Sequence, residues 1–379
     1  MFVVHSLGQS ESTAGLLAAT AGLGRLAVDL PAGRVIARFG STSVKIATPL
    51  MAAASVLCAL KSSIAGLAVG LFIFGTGSGL ATVAWQDAVS REVPKDQRAS
   101  VSANLGGIMR LTASATPLLG STVLQYASIE AVFFAQACLS LLPALLALRR
   151  RTAPKQPLSS IQGMSICTIV TSQSRALGLT GGFITGLQIM RECRRLVLPL
   201  LASRLGWSLR KISLLVSASY IFDFILFPLA SYVYNKYGLR KASTISVVAF
   251  TVALGLMAGG TYTSALLWVG SAAAGLANGT SAGLGLAIGT ELTPEHAGPN
   301  FAGVFRFICD FGECIAPVMC GFMLQHFYVW ATFGLVIVCG WLGLWGYCLL
   351  GKEAPASPDK ELTSVDDPIT SKSIGNHGI

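Results

Sequence analysis

Eleven charged residues lie inside stretches that are otherwise apolar: Arg25, Asp29, Arg110, Arg191, Glu192, Arg194, Arg195, Asp223, Arg306, Asp310 and Glu313. A charge in hydrocarbon costs about 2.5–3.5 kcal/mol on insertion scales, so each one calls for a partner or a ligand. A guanidinium can grip a carboxylate through two parallel hydrogen bonds. Arg110, Arg306 and the run Arg191, Arg194 and Arg195 are therefore candidate solute contacts. The run shares one helix face by its three- and four-residue spacing. Tyr220 adds an aromatic surface on which a solute could stack. Asp223, Asp310 and Glu313 are candidates for proton coupling, because a carboxylate in apolar surroundings can take up and release a proton. Spacing also offers internal partners: Arg25 with Asp29, and Arg306 with Asp310, each four residues apart on one face.

Other chemistries find no support. The four histidines, His5, His296, His326 and His377, are scattered, and the nine cysteines contain no C-x-x-C. Cys58, Cys138, Cys339 and Cys348 fall in apolar runs and read as small hydrophobes. Neither metal-ligand spacing nor a G-x-x-x-x-G-K-[ST] loop is present. The expectation is a protein without enzymatic activity, cofactor or metal.

The elements that hold these charges are set by composition. Only 12% of residues are charged, 53% are hydrophobic and the mean hydropathy is +0.65, whereas a soluble chain carries about 25% charge. A membrane span needs about 20 mostly apolar residues. Eleven segments qualify: Ala14–Ala37, Val44–Leu60, Ile64–Val89, Val101–Tyr126, Ile129–Ala147, Leu177–Ala202, Ile212–Tyr234, Thr244–Gly259, Leu266–Gly289, Phe301–Phe327 and Val329–Leu350. Two stretches do not. Arg149–Gln173 opens with three arginines and reads as a linker, and Lys352–Ile379, rich in Ser, Pro, Asp and Lys, reads as a disordered tail. The formal charge of +10 collects at span ends rather than in a basic domain, which argues against nucleic acid.

Those basic residues set an orientation. One side carries Arg34, Arg38, Lys45, Arg91, Lys95, Arg98, Arg149, Arg150, Arg151, Lys155, Arg175, Lys236, Arg240 and Lys241; the other has only Lys61, Arg204, Arg210 and Lys211. The richer side is expected to be cytosolic, together with the C-terminal tail. Met1 then falls outside the cytosol with no signal sequence to carry it there. The simplest repair is a further span upstream, of which Met1–Val4 is the last turn.

An internal repeat connects the halves. Gly33-Arg34-Val35-Ile36-Ala37-Arg38-Phe39-Gly40 is echoed by Ser231-Tyr232-Val233-Tyr234-Asn235-Lys236-Tyr237-Gly238. Gly107-Ile108-Met109-Arg110 followed by Pro117 and Gly120 is echoed by Gly303-Val304-Phe305-Arg306 followed by Pro317 and Gly321. In these motifs the chain resembles the major facilitator superfamily, whose signature between its second and third helices is G-x-L-x-D-R-x-G-R-[RK]. The aspartate of that pattern is Ala37 here and Asn235 in the second copy, so its charge relay is not preserved; Asp87 is placed to pair with Arg34 or Arg38.

The resemblance implies an all-α, polytopic, two-bundle fold of about eleven transmembrane helices, corresponding to the family's second to twelfth. Residues 1–148 would form the N-terminal bundle, 149–174 a cytosolic linker, 175–351 the C-terminal bundle and 352–379 a disordered cytosolic tail. It implies secondary active transport of a small organic solute by alternating access, with proton coupling and a preference for anions as further expectations. Arg25, Asp29, Gly33, Arg38, Gly40, Asp87, Asn235, Lys236 and Gly238 become gating or signature-loop candidates. Superposed repeats put Arg25 and Asp223 at equal depth, so these two are expected to attract across the bundle interface. The partners expected are solute, protons and membrane lipids around a monomer in the plasma membrane or an organelle membrane. The alternative is a facilitator fold that does not transport, serving as a receptor, scaffold or truncated isoform.

Overall fold

The computed structural model describes residues 8–39, 42–60, 63–94, 98–148, 165–293 and 298–350. Those residues are helical with short turns. The helices are α1 (Glu11–Phe39), α2 (Thr42–Leu60), α3 (Ile64–Glu92), α4 (Arg98–Tyr126), α5 (Ile129–Leu148), α6 (Ile166–Ser172), α7 (Ser174–Arg204), α8 (Leu209–Gly259), α9 (Ser264–Thr280), α10 (Leu284–Glu291), α11 (Gly298–His326) and α12 (Val329–Leu349). Seven helical segments among them are long and apolar enough to cross a membrane.

In lipid every backbone polar group must be satisfied within the protein, and these helices manage that locally. Ser63 caps α3 by accepting from the Gly66 N–H at 3.1 Å, and Ser208 and Thr263 cap α8 and α9 in the same way. Within helices, hydroxyls fold back onto their own backbone, as Thr48 does onto the Val44 carbonyl at 2.9 Å. Two expected spans form the single helix α8, which is broken at Gly238, where φ is 77°. Glycine alone takes that angle without strain, and Gly238 closes the second copy of the repeated loop motif.

Packing divides the helices into two bundles. Helix α1 lies against α3, and α2 against α3 and α5; α7 lies against α11 and α12, and α8 against α9. The bundles meet along two seams, α1 with α11 and α4 with α8. Glycines bring these backbones close: a Cβ at Gly15 would overlap the Pro317 carbonyl, and one at Gly22 would sit 2.9 Å from the Cys314 Cα. Side chains from α7 to α12 make one continuous core around Phe183, Phe250, Phe301 and Phe333.

Two expectations are corrected. The span expected over Leu266–Gly289 is interrupted: α9 ends at Thr280, and α10 restarts after a turn in which Gly283 has φ 73°. The stretch expected as linker, Arg149–Gln173, carries α6, whose Ile169 is fully buried in the core of the second bundle. One apolar turn was too short a signal to stand out beside the arginines.

Candidate functional site

The charged residues expected inside the spans gather into three clusters and one helix cap. At the first seam, Asp29 of α1 accepts from Arg306 Nε of α11 at 3.0 Å, and Asp310 Oδ2 lies 3.8 Å from the same nitrogen. Gly303 opens the space, since a Cβ there would stand 3.2 Å from the Asp29 carbonyl oxygen. At the second seam, Asp223 of α8 accepts from Arg110 Nε of α4 at 2.9 Å and from Asn278 Nδ2 of α9 at 2.6 Å. Arg194 of α7 approaches the same carboxylate at 3.8 Å. The Arg110 guanidinium also lies 4.3 Å above the Phe227 ring, and Arg194 lies 4.9 Å from the centre of Tyr220. Both repeated Gly-x-x-Arg motifs thus send an arginine across to an aspartate of the opposite bundle.

The third cluster surrounds a cavity of about 200 Å³ between α1, α7 and α11, lined by Gly22, Arg25, Glu192, Arg195, Glu313 and Pro317 among others. Arg25 bonds Glu313 at 2.5 Å and Ser78 at 3.1 Å. Arg195 bonds Glu192 at 2.6 Å. Gln188 donates to the other Glu313 oxygen at 2.9 Å and accepts from Arg191 at 2.6 Å. The cavity wall therefore carries two cations and two anions.

Arg191 does something else. Its guanidinium donates to the Ser281 carbonyl at 2.6 Å and to the Ser281 hydroxyl at 2.8 Å, at the break between α9 and α10. The Tyr234 hydroxyl donates to the Ala282 carbonyl in the same turn. Unwound backbone inside a membrane is tolerated where such donors satisfy it. Replacing Arg191 with Met should leave that carbonyl short of a donor and cost about 1–3 kcal/mol. Thermal unfolding in detergent would register the loss, and an unshifted transition would rule the cap out.

Several expected partnerships do not form. Arg25 reaches Glu313 rather than Asp29 or Asp223, because Asp29 turns toward α11 and Asp223 toward α4. Glu313, a coupling candidate with no partner at helical spacing on its own helix, holds both Arg25 and Gln188. The arginine run on α7 does not act as one stripe, since Arg191, Arg194 and Arg195 each serve a different cluster. Lys236 donates to the Tyr232 hydroxyl at 2.8 Å. Gly33 lies on α1, whereas Gly40 and the side chains of Arg38, Asp87 and Asn235 lie outside the described residues. Gln188, Asn278 and Ser281 had not been singled out. Glu192 stands out in the sequence as one of the charges within apolar stretches and carries no further signal of its role. A lone amide in an apolar helix was the available signal for Gln188 and Asn278.

Two helix bundles, pinned by mutual ion pairs and enclosing a small charged cavity, define a polytopic membrane transporter. The chain belongs to the major facilitator superfamily: the family model described as Major Facilitator Superfamily matches residues 1–191 and 190–376. It is accordingly a secondary transporter and not an enzyme. Among solved structures it is similar to the nucleoside transporter NupG in a point-mutant form, with 13% identity, a TM-score of 0.73, and 93% of this chain and 94% of that one covered. It is also similar to a D-xylose–proton symporter, with 16% identity, a TM-score of 0.70, and 93% and 90% covered. No curated protein sequence matches the chain.

Proposed function

We propose that this protein is a proton-coupled secondary transporter of a small polar solute, and that the solute binds in the cavity between α1, α7 and α11. The observation that carries this reading is the composition of the cavity wall: Arg25, Arg195, Glu192 and Glu313 face one small space at the junction of the bundles. Its size, about 200 Å³, is below the ~300–1,000 Å³ of sites for drug-sized ligands. The balance of charge speaks for a neutral or zwitterionic solute over the anion that the arginines alone suggested. Each of Arg25, Arg110, Arg194, Arg195 and Arg306 has a carboxylate within 4 Å, so their charge is already answered.

The two bundles, residues 1–148 and 175–351, rock about the seams to open the cavity to each side in turn. The end bearing the basic loops, with the C-terminus, faces the cytosol. At the opposite end Arg204 donates to Glu11 and to the Leu324 carbonyl, and the Ser12 N–H donates to Gln325 at 3.1 Å. The contacts made by Glu11 and Ser12, which cross between the bundles, support a conformation closed on that side. The protein works as a monomer in this reading.

The test is flux into liposomes reconstituted with the full chain, with and without a proton gradient. Nucleosides and pentoses come first, since the similar structures carry those names, followed by amino acids and organic anions. Uphill accumulation of a neutral or zwitterionic compound is expected under the gradient. Glu313→Gln should lower it by about tenfold, equivalent to about 1.4 kcal/mol. Accumulation of anions alone would defeat the charge argument, and flux through none of these classes would defeat the choice of a small polar solute.

A further inference from the structure

Asp29 and Asp310 make an arrangement that the ion pairs do not explain. They come from different bundles, on α1 and α11, and are 1% and 8% exposed. Both face the same guanidinium, Arg306, whose Nε binds Asp29 Oδ1 at 3.0 Å and stands 3.8 Å from Asp310 Oδ2. Oδ2 of Asp29 and Oδ2 of Asp310 are both buried and receive no hydrogen bond from any donor among the described residues. Native structures seldom leave even one such oxygen without a donor.

We propose that Asp29 and Asp310 bind a single proton between them, held by their Oδ2 atoms across the seam between the bundles. Without it, two carboxylates share one arginine, and the triad carries a charge of −1 with two oxygens short of a donor. With it, one Oδ2 donates to the other, both are satisfied, and the triad is neutral beside Arg306. Two carboxyl groups this close in a buried site cannot both ionise cheaply.

The surrounding charges do not relieve the pair. Arg25, one turn before Asp29, is committed to Glu313 at 2.5 Å. Glu313, one turn after Asp310, adds a further negative charge. Arg191 on α7 is engaged by Gln188 and Ser281, and Cys309 beside Asp310 is a thiol. Helix α12 has no charged residue, and those of α2, α3 and α10 are near the basic end: Lys45, Asp87, Arg91, Glu92 and Glu291.

The placement gives the proton a mechanical meaning, which rests on the transporter reading. Its departure sets two like charges against each other on opposite bundles, at the point where Gly303 lets α1 and α11 touch. The protonated pair holds the seam shut; the ionised pair favours opening it. Proton release and movement of the bundles thereby become one event.

Whether the proton is there can be tested without any solute. Infrared spectroscopy of the purified full chain in lipid, titrated with alkali, reads the carbonyl stretch of a protonated carboxylic acid. The wild type should show a band worth one carboxyl that disappears as pH rises. Asp29→Asn and Asp310→Asn should each abolish it, since the remaining aspartate pairs with Arg306 as an anion. Asp310→Glu, which keeps the pair, should retain it and also controls for folding. A wild type with no such band, or a band that survives in both asparagine variants, would overturn the proposal. Neither result depends on whether the liposome assay finds a substrate.

Discussion

Asp223→Ala is expected to be the most damaging single change in the second bundle, lowering stability by about 3–5 kcal/mol. The magnitude comes from what the alanine abandons. Asp223 is 2% exposed and receives hydrogen bonds from Arg110 and Asn278, with Arg194 at 3.8 Å. Its removal strands two guanidiniums, and Arg194 is itself buried, with the Ser219 hydroxyl at 3.1 Å and the Tyr220 ring as its remaining contacts among the described residues. Thermal unfolding in detergent micelles measures the effect. Pairing the change with Arg110→Leu should recover part of the loss, because removing both members of a buried pair is far cheaper than removing one. A single variant that melts with the wild type would show that Asp223 is solvated and that the second seam is not an ion-paired contact.

Asp223 also shows what the sequence could and could not say. Its burial in a span, and hence its need for a partner, is plain from the apolar residues around it. The identity of that partner is not. Helical spacing relates residues on one helix, so it offered Arg25 with Asp29 and Arg306 with Asp310. It is silent on how far each helix turns about its axis against a neighbour. The structure rotates Asp29 and Asp223 outward to the seams, and the strongest pairs become Asp29–Arg306 and Asp223–Arg110, separated by 277 and 113 residues. The duplicated Gly-x-x-Arg did mark both arginines correctly as equivalent, because a glycine one turn from a charge records close packing in one dimension. The break after Thr280 was hidden for a different reason. Residues 281–283 are small and mildly polar, so hydropathy runs through them, and the interruption is stabilised by Arg191 and Tyr234 from other helices.

Gly15→Leu should halt the transport cycle while leaving much of the fold in place. Gly15 lies on α1 near the end opposite the basic loops, where a Cβ would overlap the Pro317 carbonyl oxygen and come within 3.2 Å of the Gly321 Cα. Backbone cannot swing aside as a side chain can, so α1 and α11 must part. Overpacking of this kind costs about 1–3 kcal/mol. In the alternating-access reading that cost falls on conformations closed at this end, because those open there hold the two helices apart already. A conformation raised by about 3 kcal/mol slows any step through it by roughly a hundredfold. Gly120→Leu on α4 is the matched control: no atom lies within 4 Å of its added Cβ, and a change there should stay within about 0.5 kcal/mol. Solute counterflow in liposomes separates the two, with the Gly15 variant slow and the Gly120 variant near wild type. Equal rates in both would mean that α1 and α11 never need to meet at Gly15, and that the closure drawn here at Glu11, Arg204 and Gln325 is not a step in the cycle.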